Sequence, residues 1–244
     1  MRTVKLTNNH DTLTFRIQPL TKATSDTPFM ILLNEDSIFG KPTSPGLFVT
    51  VTLKHTDNRV WRNLLVPSDA HLGWFHAVLQ IAMGWTNSHL HQFTFKDKTF
   101  SDPRFELYDP LTIDERKCSL AKLLTNSKDP LHYQYDFADS WDHTILLTKV
   151  GITPLPMAAT CLEGGGACPP EDCGGIPGYL SLLKALKKPN SKTAKESFDQ
   201  LGYRYDPEAF SLENVNTALQ KLPWPTVSES ALRKIIRSQR KRKN

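Results

Sequence analysis

An α+β fold, a mixed sheet with a helix packed on one face, is what this sequence predicts. Three observations carry it. Residues 48–53 alternate as a strand, and residues 60–66 give a second one stopped by Pro67. Leu72, Phe75, Leu79, Ala82 and Met83 then fall at helical spacing and make one apolar face. Two further strands, 132–137 and 141–150, follow a short helix that starts near Ser119.

Each element has its own cue. Asp57-Asn58 suits the turn between the first two strands, because both residues tolerate turn geometry. Ser68 or Asp69 is positioned to cap the helix, and Gly84 to end it. Residues 89–95 read as the next strand. The order is strand, strand, helix, strand, short helix, strand, strand, which is β-grasp-like and satisfies a sheet covered on one side. Residues 164–178 hold six of the twelve glycines, with Pro169, Pro170 and Pro177, so this Cys/Gly-rich stretch is expected to be irregular. Tyr179, Leu182, Leu183 and Leu186 predict a helix ended before Pro189. Residues 188–197 read as a solvated loop, and Leu212, Val215, Leu219 and Leu222 as a further helical stripe.

The predicted organisation has three parts. Residues 1–45 form an N-terminal extension. In it, Val4, Leu6, Leu13, Phe15 and Ile17 alternate around Asn8-Asn9-His10-Asp11, the pattern of a hairpin. Gly40, Pro42, Pro45 and Gly46 read as a linker. Residues 46–222 form the α+β domain. Residues 223–244 begin with the Pro223-Trp224-Pro225 break, continue through Thr226 to Glu229 at capping-box spacing, and carry a basic helix or tail.

Composition narrows the classes. The 244 residues are 39% hydrophobic and 23% charged, as expected of a folded chain with polar appendages. The longest apolar run in the first half is five residues, Phe29 to Leu33. About 20 are needed to span a bilayer, so no membrane span is expected. The first twenty residues lack a signal-peptide core and four cysteines do not make a disulfide scaffold, so the expected compartment is the cytoplasm. The net charge is +5, but residues 233–244 carry seven bases and no acid; without them 23 bases face 25 acids. Nucleic-acid affinity resting on bulk charge therefore belongs to this tail, with Arg237, Arg240, Lys241, Arg242 and Lys243 as the candidate contacts. Its other readings are an acidic protein partner and a solvated terminus.

Cys161, Cys168 and Cys173 lie within thirteen residues; the x4 gap between Cys168 and Cys173 fits the spacing of zinc-binding thiolates, whereas the x6 gap between Cys161 and Cys168 is wide. The fourth ligand would come from the sheet: His91, with His89 and His143 as alternatives. Against this stands a tight loop whose cysteines are small buried hydrophobes. Alternate residues of a strand share a face, so His89, His91, Phe93 and Phe95 point one way, as do Trp141, His143, Ile145 and Leu147. If these are one face, the imidazoles meet near the sheet end with Asp139. They then form either a satisfied hydrogen-bonded core or a metal or catalytic cluster, with Asp139 or His143 as general base. Asp136, Asp139 and Asp142 read equally as turn formers. No P-loop, nucleophile elbow, dinucleotide fingerprint or HExxH helix is present.

Several stretches together resemble the Ri-plasmid ORF-three-like family, whose members are often labelled insertion-element passenger proteins of TnpR type. They are Val60-Trp61-Arg62, Leu65-Val66-Pro67, Gln80 to Trp85 (QIAMGW), Ser88 to Phe93 (SHLHQF), Tyr135 to His143 (YDFADSWDH), Ala167 to Gly175 (ACPPEDCGG) and Asp206 to Phe210 (DPEAF). Ala138 stands where the family usually has Gly. The resemblance spans about residues 48–222. It implies an α+β domain associated with mobile DNA and no settled activity. His89, His91, Asp139, His143, Cys161, Cys168 and Cys173 all fall in or beside the matching stretches. Two functions are therefore expected in competition: a zinc-stabilised module that contacts nucleic acid or a protein partner, and a metal-dependent hydrolase using the His/Asp/Cys cluster.

Overall fold

The computed structural model describes residues 2–8, 11–17, 31–33, 43–105, 111–154, 159–188 and 190–222. In chain order the elements are β1 (Arg2–Asn8), β2 (Asp11–Ile17), β3 (Ile31–Leu33), β4 (Thr43–Leu53), β5 (Trp61–Pro67), α1 (Leu72–Met83), β6 (His91–Phe95), β7 (Lys98–Ser101) and β8 (Ile113–Asp114). They continue with α2 (Leu120–Leu124), β9 (Leu131–Tyr135), β10 (Trp141–Pro154), β11 (Thr160–Gly165), α3 (Gly175–Leu186), α4 (Lys192–Leu201) and α5 (Leu212–Leu219).

The first three strands form their own sheet in the order β1-β2-β3. β1 and β2 pair antiparallel, with Val4 opposite Phe15 and Leu6 opposite Leu13. The other eight make one sheet in the order β11-β5-β4-β10-β9-β6-β7-β8. Every neighbouring pair is antiparallel except β7 and β8. The α+β class stands, with the sequence neighbours β4–β5, β6–β7 and β9–β10 paired as hairpins. The joins between those hairpins, β4 to β10 and β6 to β9, link segments far apart in sequence and have no local cue.

The alternation follows the pleat. His91, Phe93 and Phe95 on β6, Leu131, Tyr133 and Tyr135 on β9, and Trp141, His143 and Ile145 on β10 are all buried. The residues between them are half-buried. α1 lays Leu72, Phe75, Val78, Leu79, Ala82 and Met83 into the same core, and Phe75 stacks on Phe93 at 6.2 Å. Among the described residues no helix is long and apolar enough to cross a membrane.

Several local expectations need correction. α1 is capped by His71, not by Ser68 or Asp69: the Trp74 N–H donates to its Nδ1 at 3.0 Å. A turn from Pro67 to Ala70 and a bridge from His71 to Ser119 occupy the preceding residues and delay the helix. At the other end, Gly84 does close α1, in the left-handed region at φ +96°, where its N–H donates to the Gln80 carbonyl. Pro45 and Gly46 belong to β4, not to a linker. Gly46 pairs with Pro67 at the end of β5, and Pro45 lies one residue beyond, where a missing donor is tolerated.

Most of the expected loop at 188–197 is α4. Ser191 caps it by accepting from the Ala194 N–H; its apolar stripe is short, Ala194, Phe198 and Leu201 set among polar residues, and of these only Ala194 is buried. Gly164 and Gly165 complete the edge strand β11. There the side-chain amide of Asn216 accepts from the Cys161 N–H and donates to the Cys161 carbonyl, at 2.8 and 2.9 Å. It stands in for a neighbouring strand and closes that stretch of the edge. The Pro223-Trp224-Pro225 break, the capping-box stretch and the basic tail lie outside the described residues.

Candidate functional site

A polar layer sits where α1 crosses β6 and β9. His76 and Gln80, one helical turn apart, both reach Tyr133. The Gln80 amide donates to the Tyr133 oxygen at 2.9 Å, and the hydroxyl lies 2.8 Å from His76 Nδ1. Across the ring, His76 Nε2 lies 2.7 Å from the Asn87 side-chain oxygen, and the Asn87 N–H donates to Gln80 Oε1. The network assigns the proton of a neutral His76 to Nε2, with Tyr133 donating to Nδ1. Burial, reinforced by His91, pushes His76 down to about 3. His91 stacks on His76 and turns its Nε2 to Glu115 Oε2 at 2.8 Å, both side chains being buried.

Past this layer the Cys/Gly-rich segment folds over the end of the sheet. Trp85, just after α1, packs at 4.9 Å on Tyr135 and edge-on against His143. Its indole N–H donates to the Pro169 carbonyl at 3.1 Å. Glu171 is the centre of the contact. One oxygen accepts from the Tyr135 hydroxyl at 2.5 Å, and the other from the Thr86 N–H and hydroxyl at 3.2 and 2.5 Å. Tyr135 also accepts from the Ser88 N–H. Burial and the facing Glu171 carboxylate push its phenol above the usual range. Asp139 anchors the segment further along, accepting from the Gly174 N–H at 3.2 Å.

At the mouth of this junction, His89 lies between two carboxylates. Its Nδ1 is 3.6 Å from Asp136 and its Nε2 3.3 Å from Asp172. Asp136 is nearly buried at 5% exposure, whereas Asp172 is open at 77%. The other Asp136 oxygen accepts from the Ala138 and Asp139 N–H groups, the turn-forming role expected of this aspartate, with φ at +59°. His89, Asp136 and Asp172 each offer a ligand atom, and these atoms lie within 4.8 Å of one another.

The expected ligands distribute differently. The segment does return to the imidazole-lined sheet end, but it meets His89 with an acid, not a sulfur. Among the described residues, the cysteines enter no group of three or more ligand atoms within that distance. Cys161 is buried in β11, its thiol donating to the Glu163 carbonyl at 3.4 Å. Burial pushes it up to about 11, Cys173 to about 12, and Cys168 well above its ordinary value. His91 is committed to Glu115. His143 is fully buried, its Nδ1 3.3 Å from the Tyr133 carbonyl, and desolvation lowers it to about 4. Asp139 and His143 therefore serve different ends, one docking the segment and one lying in the core beneath Trp85. Of the metal candidates, His89 alone enters the cluster. The nucleic-acid candidates Arg237, Arg240, Lys241, Arg242 and Lys243 lie outside the described residues.

Glu171 and Asp172 escape sequence reading because the flanking Cys168 and Cys173 carry the stronger ligand signal and two acids in a loop carry none of their own. Sequence reading missed His76 and Gln80 although both share the apolar face of α1. It also missed Arg62, which is 2% exposed. Its guanidinium donates to the carbonyls of Ala82, Trp61, Gly165 and Gly166 at 2.6–2.9 Å and lies 4.3 Å over the Phe210 ring.

A mixed, mostly antiparallel sheet, a covering helix and a proline-glycine segment clasped over the sheet end define an α+β domain with a half-open His/Asp cluster. Residues 46–214 match the family described as plasmid pRiA4b ORF-3-like protein, and the chain belongs to that family. It is 38% identical over 175 residues to the uncharacterised protein y4hQ of Sinorhizobium fredii, covering 70% of this chain and 89% of that one. The crystal structure of MM3350, a protein of unknown function from Methanosarcina mazei Go1, is similar with a TM-score of 0.63 and 25% identity, over 70% of this chain and 97% of that one.

Proposed function

We propose that the protein is a divalent-cation-dependent binding module whose working site is the clasped sheet end. The observation that carries this reading is the convergence of His89, Asp136 and Asp172 from three separate segments. One imidazole and two carboxylates suit zinc or manganese. The expected zinc thus keeps its place in the reading, with oxygen donors in place of thiolates. Three protein ligands leave coordination positions for water or an anionic ligand, the arrangement of a working site and not of a closed structural one. Hydrolysis by metal-activated water is the catalytic form of the same site.

Isothermal titration of the purified chain with zinc and with manganese tests this. One ion per chain is expected, with affinity lost in His89→Ala and Asp172→Asn. Absence of binding by both ions, or binding unchanged in both variants, overturns it. A second reading concerns the tail, whose seven bases without an acid support contact with nucleic-acid phosphates. Its signature is DNA affinity that falls steeply with salt and is lost on removing residues 233–244.

A further inference from the structure

α3 carries more apolar surface than the core uses. Tyr179, Leu182 and Ala185 are buried. Leu180, Leu183 and Leu186 form an adjacent stripe; Leu183 and Leu186 are half-buried against the core, and Leu180 is 48% exposed. This stripe and Phe198 of α4 line a groove of about 810 Å³ that runs to the β4–β5 turn.

The groove is framed by charge. Arg59, Lys184, Lys187 and Arg204 line it, against Asp57 and Asp206. All six are exposed. Among the described residues none of the four bases is ion-paired. The Arg204 guanidinium stands 5.9 Å over the Phe198 ring, so positive charge sits directly on the apolar floor.

The geometry points to this groove as the docking site for an acidic amphipathic segment of a partner protein, its leucine or phenylalanine side chains on the α3 stripe and its carboxylates against the four bases. Apolar anchors in a groove with charges at the rim are the usual elements of helix-in-groove recognition. The excess of bases at the rim selects an acidic partner. A nucleic-acid strand would neutralise the same bases but leave the leucine floor in water, which is why a peptide is the favoured occupant. The site is separate from the His/Asp cluster and does not rest on it.

The test is fluorescence anisotropy of the full-length protein with a labelled helical peptide of leucine and glutamate, about 14 residues long to give roughly four turns. Binding that weakens with salt is expected. Lys184→Glu combined with Arg204→Glu, and separately Leu180→Asp, should each weaken it by about tenfold or more. All three positions are exposed, and circular dichroism confirms that the variants fold. No binding by the parent chain, or unchanged affinity in both variants, overturns the proposal. So does equal affinity for a glutamate-serine peptide or a single-stranded oligonucleotide, since either means that charge alone is read.

Discussion

The imidazole of His76 on α1 lies flat against that of His91 on β6, with ring centroids 3.4 Å apart and planes 5° from parallel. Two cations at that spacing in a buried layer would repel strongly. One ring must stay neutral, and the contacts single out His76, which meets the Tyr133 hydroxyl and the Asn87 amide, while His91 takes the Glu115 carboxylate.

Stability should therefore fall as pH drops below neutrality. His76 is depressed to about 3 and His143 to about 4 in the folded chain, against about 6.5 unfolded. The unfolded chain binds protons first, so the stability held above pH 6.5 is lost progressively on acidification. At roughly 1.4 kcal/mol per pH unit per proton, each histidine accounts for about 2 kcal/mol between pH 7 and 5. Urea titrations at both values measure this. His76→Gln should reduce the slope, and a flat profile in the parent chain contradicts the account.

Glu115 should matter more than an ordinary acid. It comes from a short turn at 115–117 in which the Asp114 side chain accepts from the Arg116 N–H, and it reaches His91 in a site where both side chains are 3% exposed. The room for it is made by Gly73, where a Cβ would lie 2.7 Å from Glu115 Oε1. Glu115→Ala strands a buried imidazole N–H and should cost about 3 kcal/mol. Glu115→Gln keeps an acceptor and should cost less. Equal losses for the two variants would show that the carboxylate is not held for His91.

How far this site was legible in the sequence depends on the kind of signal. The period-two pattern of His91-Phe93-Phe95 and Trp141-His143-Ile145 put both histidines on the buried face correctly, because burial acts on every second residue of a strand. The return of residues 167–175 to that sheet end was expected as well. The contacts it makes there were not. Glu171 and Asp172 meet Tyr135 and His89 across more than thirty residues of chain, and no local spacing encodes such a pairing. β11 and α4 escaped for a simpler reason. β11 is an edge strand ending in two glycines, and the stripe of α4 is only Ala194, Phe198 and Leu201 among polar residues, with Ala194 alone buried, so each carries a weak apolar signal.

Arg62 should be irreplaceable even by lysine. Four carbonyls accept from its guanidinium, one from the end of α1, one from its own strand and two from the start of the Cys/Gly-rich segment. A planar fork satisfies them together; an ammonium cannot span them. Burial lowers its pKa, and the thiols of Cys168 and Cys161 lie close enough to act on it. Arg62→Lys should destabilise the chain by about 2 kcal/mol or more, and Arg62→Ala by more still, since the carbonyls lose their donors and Phe210 its cation. Thermal melts rank the two. A lysine variant as stable as the parent would mean that charge, not fork geometry, is what the site needs.

Gly175→Ala should lift the clasp without unfolding the sheet. The residue has φ +63° and sits so near the turn that a Cβ would lie 2.6 Å from the Asp139 carbonyl oxygen. That oxygen is backbone and cannot swing aside, so strain and clash act together. The segment from Pro169 to Gly174 is held by the Trp85, Thr86, Tyr135 and Asp139 contacts, and these should loosen first. Hydrogen exchange should rise at residues 168–176 while β9 and β10 stay protected. Because Asp172 travels with the segment and His89 and Asp136 do not, cation affinity should fall in the same variant. Faster local exchange with unchanged affinity would separate the two claims: the clasp would stand, and Asp172 would not be a ligand.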